Sequence, residues 1–548
     1  MMPTQLNAWL LFQNAATHFG DVEVVSRGEG GIHRYTYADF ARRAQQLMHA
    51  LDRLEVAPGE RVATLAWNHY RHLECYFAVP CTGRVLHTLN VRLSVEDLSY
   101  IIEHADDRVI FVDPDQLATL EKLTPALARV RHIVVLGAEV PPSSLSASLS
   151  ASRSASLSSS LPNVVAYEEL IRDCPTTYPP RDIPENEPLG LCYTSGTTGR
   201  PKGVIYTHRS TVLHSLAVTS AAAFALGPGD AALPVVPMFH ANAWGIPHAA
   251  VMVGAKLVFG GRDHTAPALV ELLARERVTI AAGVPTVWFA VGDELAKTSA
   301  KLPALRRIFI GGAQPPTSLI ERFRAEHGIT IHQVWGMTET SPIASVAWPK
   351  EHMRDWPEER LLGEVRCQAG LPLPGVQISI RAPDGAEVPP DGKTMGDLLV
   401  RGPWIVDRYF KDEGGEQFTA DGWFRTGDVA IASPRGYFVI GDRTKDLIKS
   451  GGEWISSVDM ERTIMALPEV EEAAVIAIPD PKWQERPLAC VVVRRGASLD
   501  LARLREHLLA SGFASWQLPD RMELIDAVPR TSVGKFDKKA LRARFAAG

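Results

Sequence analysis

The stretch Tyr193-Thr194-Ser195-Gly196-Thr197-Thr198-Gly199-Arg200-Pro201-Lys202-Gly203-Val204 constrains this chain more than any other. An apolar run, Leu189-Gly190-Leu191-Cys192, precedes it and reads as a buried strand; Val204-Ile205-Tyr206-Thr207 follows and reads as another. The stretch is therefore a loop between two strands, not a strand-to-helix turn. Gly196, Gly199 and Gly203 let the backbone bend and approach a ligand closely. Hydroxyls and amides between them can donate to phosphate oxygens, and Lys202 adds a fixed positive charge. Such a loop is built to hold a polyphosphate. It is not a Walker A loop, where Gly-Lys is followed by Ser or Thr and opens a helix; here Lys202 sits between Pro201 and Gly203.

Around this loop the chain reads as α/β. Residues 35–52 begin strand-like and continue as a helix that carries Phe40, Ala44, Leu47 and Leu51 at helical spacing. Arg61–Ala66 and Arg108–Val112 read as strands, with helices over Tyr70–Val79 and from Ser94 to His104 between them; Ser94 with Asp97 three residues on is a capping pattern. Strands alternating with helices predict a mostly parallel sheet. At 548 residues the chain exceeds what one core serves. A net charge of −6 gives no reason to expect nucleic acid or an anionic membrane as partner. The six cysteines show no CxxC pair, which fits a reducing compartment and a cytoplasmic protein. The N-terminus has no basic region before its apolar run, against a secretory signal, and no apolar stretch is long enough to span a membrane. Residues 141–162, rich in Ser, Ala and Leu, read as a surface insertion.

Four further motifs fall downstream. Pro237-Met238-Phe239-His240-Ala241-Asn242-Ala243-Trp244-Gly245 carries a histidine among aromatics. Arg307–Ile310 runs into Gly311-Gly312-Ala313-Gln314, a turn open enough for a flat ring to lie against. Val334-Trp335-Gly336-Met337-Thr338-Glu339 places a carboxylate at a loop end, suited to a hard cation such as Mg²⁺. Asp421-Gly422-Trp423-Phe424-Arg425-Thr426-Gly427-Asp428 offers a second carboxylate, able to accept from both hydroxyls of a ribose.

Taken with the glycine-rich loop, these motifs resemble the adenylate-forming superfamily of acyl-CoA synthetases, luciferases and peptide-synthetase adenylation domains. The resemblance covers the chain apart from the Ser-rich insertion. It implies a large N-terminal AMP-binding domain over residues 1–444 with parallel sheets flanked by helices, and a small mobile α+β domain over 445–548. It also implies roles. Thr194, Ser195, Gly196, Thr197, Thr198, Gly199 and Lys202 would hold the ATP phosphates. Gly312, Ala313, Gln314, Trp335, Gly336, Met337 and Thr338 would flank adenine. Asp428 and Arg443 would reach the ribose, and Thr194 and Glu339 would share Mg²⁺. Lys445 falls on the hinge and Lys449 would act in the second half-reaction. Gly451, Gly452, Glu453 and Trp454 would form the channel for coenzyme A. Lys535, in Pro529-Arg530-Thr531-Ser532-Val533-Gly534-Lys535, matches the catalytic lysine of the first half-reaction.

The Met-Phe-His-x-Asn-Ala-Trp form looks like bacterial medium- and long-chain fatty acyl-CoA synthetases. His240 would then lie near the reacting carboxylate and Trp244 would gate the acyl tunnel. The segment holding Val284 and Trp288 resembles the wall of the acyl site, although its apolar composition suits a simple core equally. No carboxylate near His240 awaits an ammonium, and a buried ammonium without a partner costs several kcal/mol, so an amino-acid substrate is disfavoured. The expected reaction is ATP-dependent ligation of an aliphatic acid to coenzyme A through an acyl-AMP. Aryl or methylthio-alkanoate substrates, a carrier-protein acceptor and a non-catalytic nucleotide-binding protein remain the alternatives. Similar bacterial synthetases form homodimers.

Overall fold

A computed structural model describes residues 2–28, 30–140, 163–194, 200–443, 446–450, 453–531 and 536–545; the side chains of Asp442, Arg443, Glu453 and Trp454 lie outside that description. Two compact units emerge. The first comprises residues 1–366, 372–376 and 401–416; the second comprises 367–371, 377–400 and 417–548.

The first unit holds two sheets. In one, the strands run in the order Asn163–Ala166, His132–Val135, Asp107–Val112, Arg61–Leu65, Val85–Thr88, Pro188–Tyr193 and Gly203–Thr207. Every pairing is parallel except the last, where Pro188–Tyr193 and Gly203–Thr207 are antiparallel, with Tyr193 opposite Gly203. The phosphate-loop stretch thus joins two adjacent strands, as the sequence predicts. Pro188–Tyr193 is an interior strand, one in from the sheet edge, and is buried from Leu189 onward, which is why it reads as a continuous apolar run. In the other sheet Ile343–Val346, Thr330–Gly336, Arg307–Ile310, Ile280–Gly283, Ala231–Pro234, Lys256–Phe259, Glu23–Gly28 and Gly31–Thr36 follow one another. It is parallel through its middle and antiparallel where Ile343–Val346 and Gly31–Thr36 add on.

Local chemistry sets the helices. Tyr37–Arg53 buries Phe40, Ala44, Leu47 and Leu51, the four residues its periodicity picks out. A capping box starts it: Thr36 Oγ1 accepts from the Asp39 N–H at 3.3 Å, and Asp39 Oδ2 accepts from the Thr36 N–H at 2.9 Å. Val95–Ala105 begins with Ser94 Oγ accepting from the Asp97 N–H at 3.0 Å and stops at Asp106, which turns left-handed at φ 59°. Beneath it, Leu98, Ile101 and Ile102 join Ile110 and Val112 in one core.

The second unit has a four-stranded sheet, Gln377–Arg381, Met395–Arg401, Phe424–Ala432 and Phe438–Arg443, in that order. A mixed sheet follows, built on the long antiparallel pair Val470–Asp480 and Gln484–Val493 with Leu501–Ala510 packed against it through Leu504 and Leu508. Within the second unit Phe424–Ala432 pairs on one side with Met395–Arg401 and on the other with Phe438–Arg443.

Candidate active site

Ser195–Gly199, the tip of the predicted phosphate loop, lies outside the described residues, but its base is defined. The Thr194 N–H donates to the Lys202 carbonyl at 3.0 Å, and the Lys202 N–H donates to Thr194 Oγ1 at 3.1 Å. These two bonds pinch the loop shut where it leaves the sheet. Gly203 is required there: a Cβ would lie 2.9 Å from the Phe410 Cβ and 3.1 Å from Leu191 Cδ1. Lys202 Nζ reaches Glu416 at 3.2 Å and sits 5.0 Å from the centre of the Tyr409 ring.

Glu339 occupies a short 3₁₀ turn, Thr338–Thr340, all three residues buried. Tyr206, on the strand that follows the phosphate loop, donates from its hydroxyl to the Thr338 carbonyl at 2.7 Å, tying the turn to that strand. The Glu339 carboxylate accepts from the Tyr409 hydroxyl at 2.7 Å. Burial first, then the Glu339 charge, pushes the Tyr409 phenol far up, so it stays protonated and donates. Gly336 has a purely spatial reason to be glycine: a Cβ would fall 1.8 Å from the Pro342 carbonyl oxygen. Among the described residues no group of three His, Cys, Asp or Glu side chains could hold a metal ion. A single buried carboxylate, that of Glu339, instead fits Mg²⁺, which takes few protein ligands when phosphate supplies the rest.

His240 and Thr194 come together: with Thr88, Tyr193 and Phe239 they line one small cavity. After His240 the chain does something its sequence does not announce. Ala241, Asn242, Ala243 and Trp244 take φ of 44°, 53°, 47° and 58°, a left-handed turn made of non-glycine residues, completed by Gly245. Asn242 Oδ1 accepts from the Tyr76 hydroxyl at 3.1 Å. A Cβ on Gly245 would meet His214 Cε1 at 2.6 Å. The turn aims Trp244 at the Gly311-Gly312 turn, where a Cβ on Gly311 would stand 3.0 Å from Trp244 Cη2.

That second turn leaves Gly312 and Ala313 exposed and Gln314 half-buried at the end of Arg307–Ile310. Trp335, on the neighbouring strand, is buried at 8% exposure, and Met337 follows half-buried. Val284 caps the helix Pro285–Thr298, and Trp288 is fully buried within it, its ring edge-on to Phe323 at 6.2 Å. A separate cavity of about 750 Å³ opens between strand ends, with Trp67, Tyr70, Arg71, Asp113 and Arg262 on its walls. None of the residues singled out from sequence lines it.

In the second unit Asp428 is buried, and its N–H donates to Thr426 Oγ1 at 3.0 Å. It lies opposite Arg443 in the antiparallel ladder. Lys449 is exposed on the strand Ile448–Ser450, opposite Trp454, and its N–H donates to Glu485 at 2.8 Å. Lys445, Gly451, Gly452 and Lys535 lie outside the described residues, as does the 141–162 insertion. Sequence reasoning passed over Tyr409, Glu416 and His214. Arg408-Tyr409-Phe410 carries no glycine cluster or charge pattern, and nothing in the chain order ties it to Glu339.

The model of the AMP-binding enzyme family matches residues 11–410, and that of the AMP-binding enzyme C-terminal domain matches residues 459–535. The chain belongs to the AMP-binding enzyme family. Within that family it is 47% identical over 548 residues to the long-chain-fatty-acid–CoA ligase of Thermus thermophilus, covering 100% of this chain and 96% of the relative. It is 42% identical to the 3-methylmercaptopropionyl-CoA ligase of Ruegeria lacuscaerulensis, covering 100% and 98%. To the medium-chain-fatty-acid–CoA ligase of Ectopseudomonas oleovorans it is 40% identical, covering 100% and 97%. Among the described residues no helix is long and apolar enough to cross a membrane.

Proposed function

We propose that this AMP-binding enzyme is an ATP-dependent acid–CoA ligase for medium- to long-chain aliphatic carboxylates. In the first half-reaction a carboxylate oxygen bonds to the ATP α-phosphorus and pyrophosphate leaves. In the second, the coenzyme A thiol bonds to the acyl carbon, the proton goes to solvent, and AMP leaves. Neither step needs a side-chain nucleophile, and all six cysteines are buried. Catalysis then rests on positioning and on charge neutralisation.

Lys202 and the loop from Thr194 to Gly199 hold the leaving phosphates in this reading; the pinched loop base supports it. Glu339 with Thr194 would hold Mg²⁺, which when bound neutralises charge on those phosphates. Lys535 bridges the substrate carboxylate and the α-phosphate. Trp335 to Thr338 and Gly312 to Gln314 flank adenine, Asp428 and Arg443 the ribose, and His240 the acyl carboxylate. Lys445 is the hinge between a domain over 1–444 and one over 445–548. Lys449 and Gly451 to Trp454 serve the thiol step. We place the enzyme in the cytoplasm as a homodimer, a state light scattering after size exclusion would test.

The observation that carries the substrate class is Trp244, four residues after His240, whose indole stands against the Gly311 backbone; the apolar Val284–Trp288 segment is read with it as pocket wall. The test is CoA-dependent AMP release over straight-chain acids. Each buried methylene is worth about 0.8 kcal/mol, so kcat/KM should rise roughly fourfold per carbon from short acids into the medium range, then level where the tunnel ends. A flat response, or benzoate preferred over octanoate, would overturn the reading. The Ruegeria relative favours a second reading, 3-methylmercaptopropionate as substrate; that acid outperforming hexanoate in the same panel would support it.

A further inference from the structure

We propose that Tyr409 is the positioning residue for Glu339, and that its hydroxyl sets the affinity of the site for the metal–nucleotide pair. The inference rests on the reading of Glu339 as the carboxylate that holds Mg²⁺. Residues 404–416 cross the Glu339 turn as a strap and grip it at both ends. Trp404 Nε1 donates to the Ile343 carbonyl at 3.1 Å, while the Trp404 carbonyl accepts from Ser341 Oγ at 2.6 Å. The Val406 N–H donates to the Glu339 carbonyl at 2.8 Å, fixing the backbone of the residue itself. Tyr409 then donates to the Glu339 carboxylate at 2.7 Å, fixing the side chain. Tyr409 is only 4% exposed and Glu339 6%, so water is poorly placed to substitute for either.

The same strap governs the cation of the phosphate loop. Lys202 Nζ stands over the Tyr409 ring at 5.0 Å and on Glu416 at 3.2 Å, and a Cβ on Gly414 would come 2.7 Å from that nitrogen. Phe410 meanwhile backs Gly203. One side chain, Tyr409, therefore touches both the carboxylate that would meet the metal and the lysine that would meet the phosphates. A carboxylate held in one orientation by a neighbouring hydroxyl binds a cation without first being ordered, and loss of such outer partners typically weakens metal sites 10- to 100-fold.

The test is Tyr409→Phe, which keeps the ring under Lys202 and removes only the hydroxyl. Mn²⁺ replaces Mg²⁺ as a paramagnetic probe, and its binding is measured by electron paramagnetic resonance with a non-hydrolysable ATP analogue present. We expect the Mn²⁺ dissociation constant to rise about tenfold, with kcat for ATP–pyrophosphate exchange at saturating metal changed less than about twofold. In a Glu339→Gln background the same substitution should add nothing to the Mn²⁺ constant. Unchanged Mn²⁺ affinity in folded Tyr409→Phe, a loss confined to kcat, or an equal loss in the Glu339→Gln background would overturn the proposal and leave the ligase reading standing. Absence of nucleotide-dependent Mn²⁺ binding by the wild-type enzyme would overturn both.

Discussion

Gly336→Ala should disable adenylation while leaving a folded protein. The backbone of Gly336 is not left-handed, so an L-residue suits its dihedrals and the obstacle is space alone. A Cβ there would lie 1.8 Å from the Pro342 carbonyl oxygen and 2.8 Å from its carbon, both backbone atoms that no rotamer change can move. Real Cβ contacts begin near 3.0 Å, so Thr338–Thr340 and Pro342 must separate from Trp335 by at least 3.0 − 1.8 = 1.2 Å. The displaced piece carries Glu339, and a misplacement of about 1 Å at a catalytic group costs about 10²-fold in rate. The stability cost of such overpacking is about 1–3 kcal/mol. ATP–pyrophosphate exchange with a saturating acid measures the first, urea unfolding the second. Exchange within threefold of wild type would refute the reasoning, because it would mean Glu339 either tolerates the shift or does not serve the reaction.

Three other outcomes follow from the site and its surroundings. Lys535→Ala should cripple acyl-AMP formation yet spare thioester formation from supplied acyl-AMP, and Lys449→Ala should do the reverse; equal loss of both steps in both variants would sink that assignment. His214 is pushed down to about 3 by burial and then by His248, and its Nε2 accepts from the Ile343 N–H at 3.1 Å. Below about 6.5 the unfolded chain binds a proton there that the folded chain refuses, so its stability contribution is whole above pH 6.5 and is lost between 6.5 and 3, at about 1.4 kcal/mol per pH unit. His214→Gln should flatten the slope of unfolding free energy between pH 6.5 and 5 by that amount, and an unaltered slope would count against it. Trp244→Ala should cut the gain per methylene from about fourfold toward unity, read from the same acid panel; an undiminished gain would show that Trp244 does not bound the tunnel.

Some of this was open to a reader of the sequence. The apolar run before Thr194 and the alternation after it placed the glycine-rich loop between strands, because a strand buried on both faces has no other way to read. Gly311 and Gly336 advertised tight backbone. Their cause stayed hidden: Gly336 answers to a carbonyl six residues on, and Gly311 first to Val334 on the neighbouring strand and then to an indole 67 positions upstream. The Tyr409–Glu339 bond spans 70 residues and two elements that no periodicity links. The pairing of Phe424–Ala432 with Met395–Arg401 is likewise non-local. Local signals carry elements and glycines; long-range packing carries the partners of each catalytic candidate.

The turn from Ala241 to Trp244 is the clearest case of a local rule set aside. Left-handed backbone costs an L-residue about 1–2 kcal/mol, so four in succession cost several kcal/mol, a sizeable share of a domain's net stability. Ala-Asn-Ala-Trp would form an ordinary right-handed turn if nothing opposed it. Three contacts oppose it: Tyr76 holds Asn242, His214 fills the space a Cβ at Gly245 would take, and Trp244 packs on Gly311. Reversing the turn would swing the indole off that glycine and unlock all three contacts together. Strain kept at such a cost belongs where geometry matters to function, here between a histidine that shares a cavity with Thr194 and the turn read as the adenine side. Trp244→Ala therefore removes more than bulk. It deletes the contact that holds the turn left-handed, so the tunnel and the His240 backbone should loosen together, and loss of chain-length selectivity should come with a lower kcat even for the acids that fit.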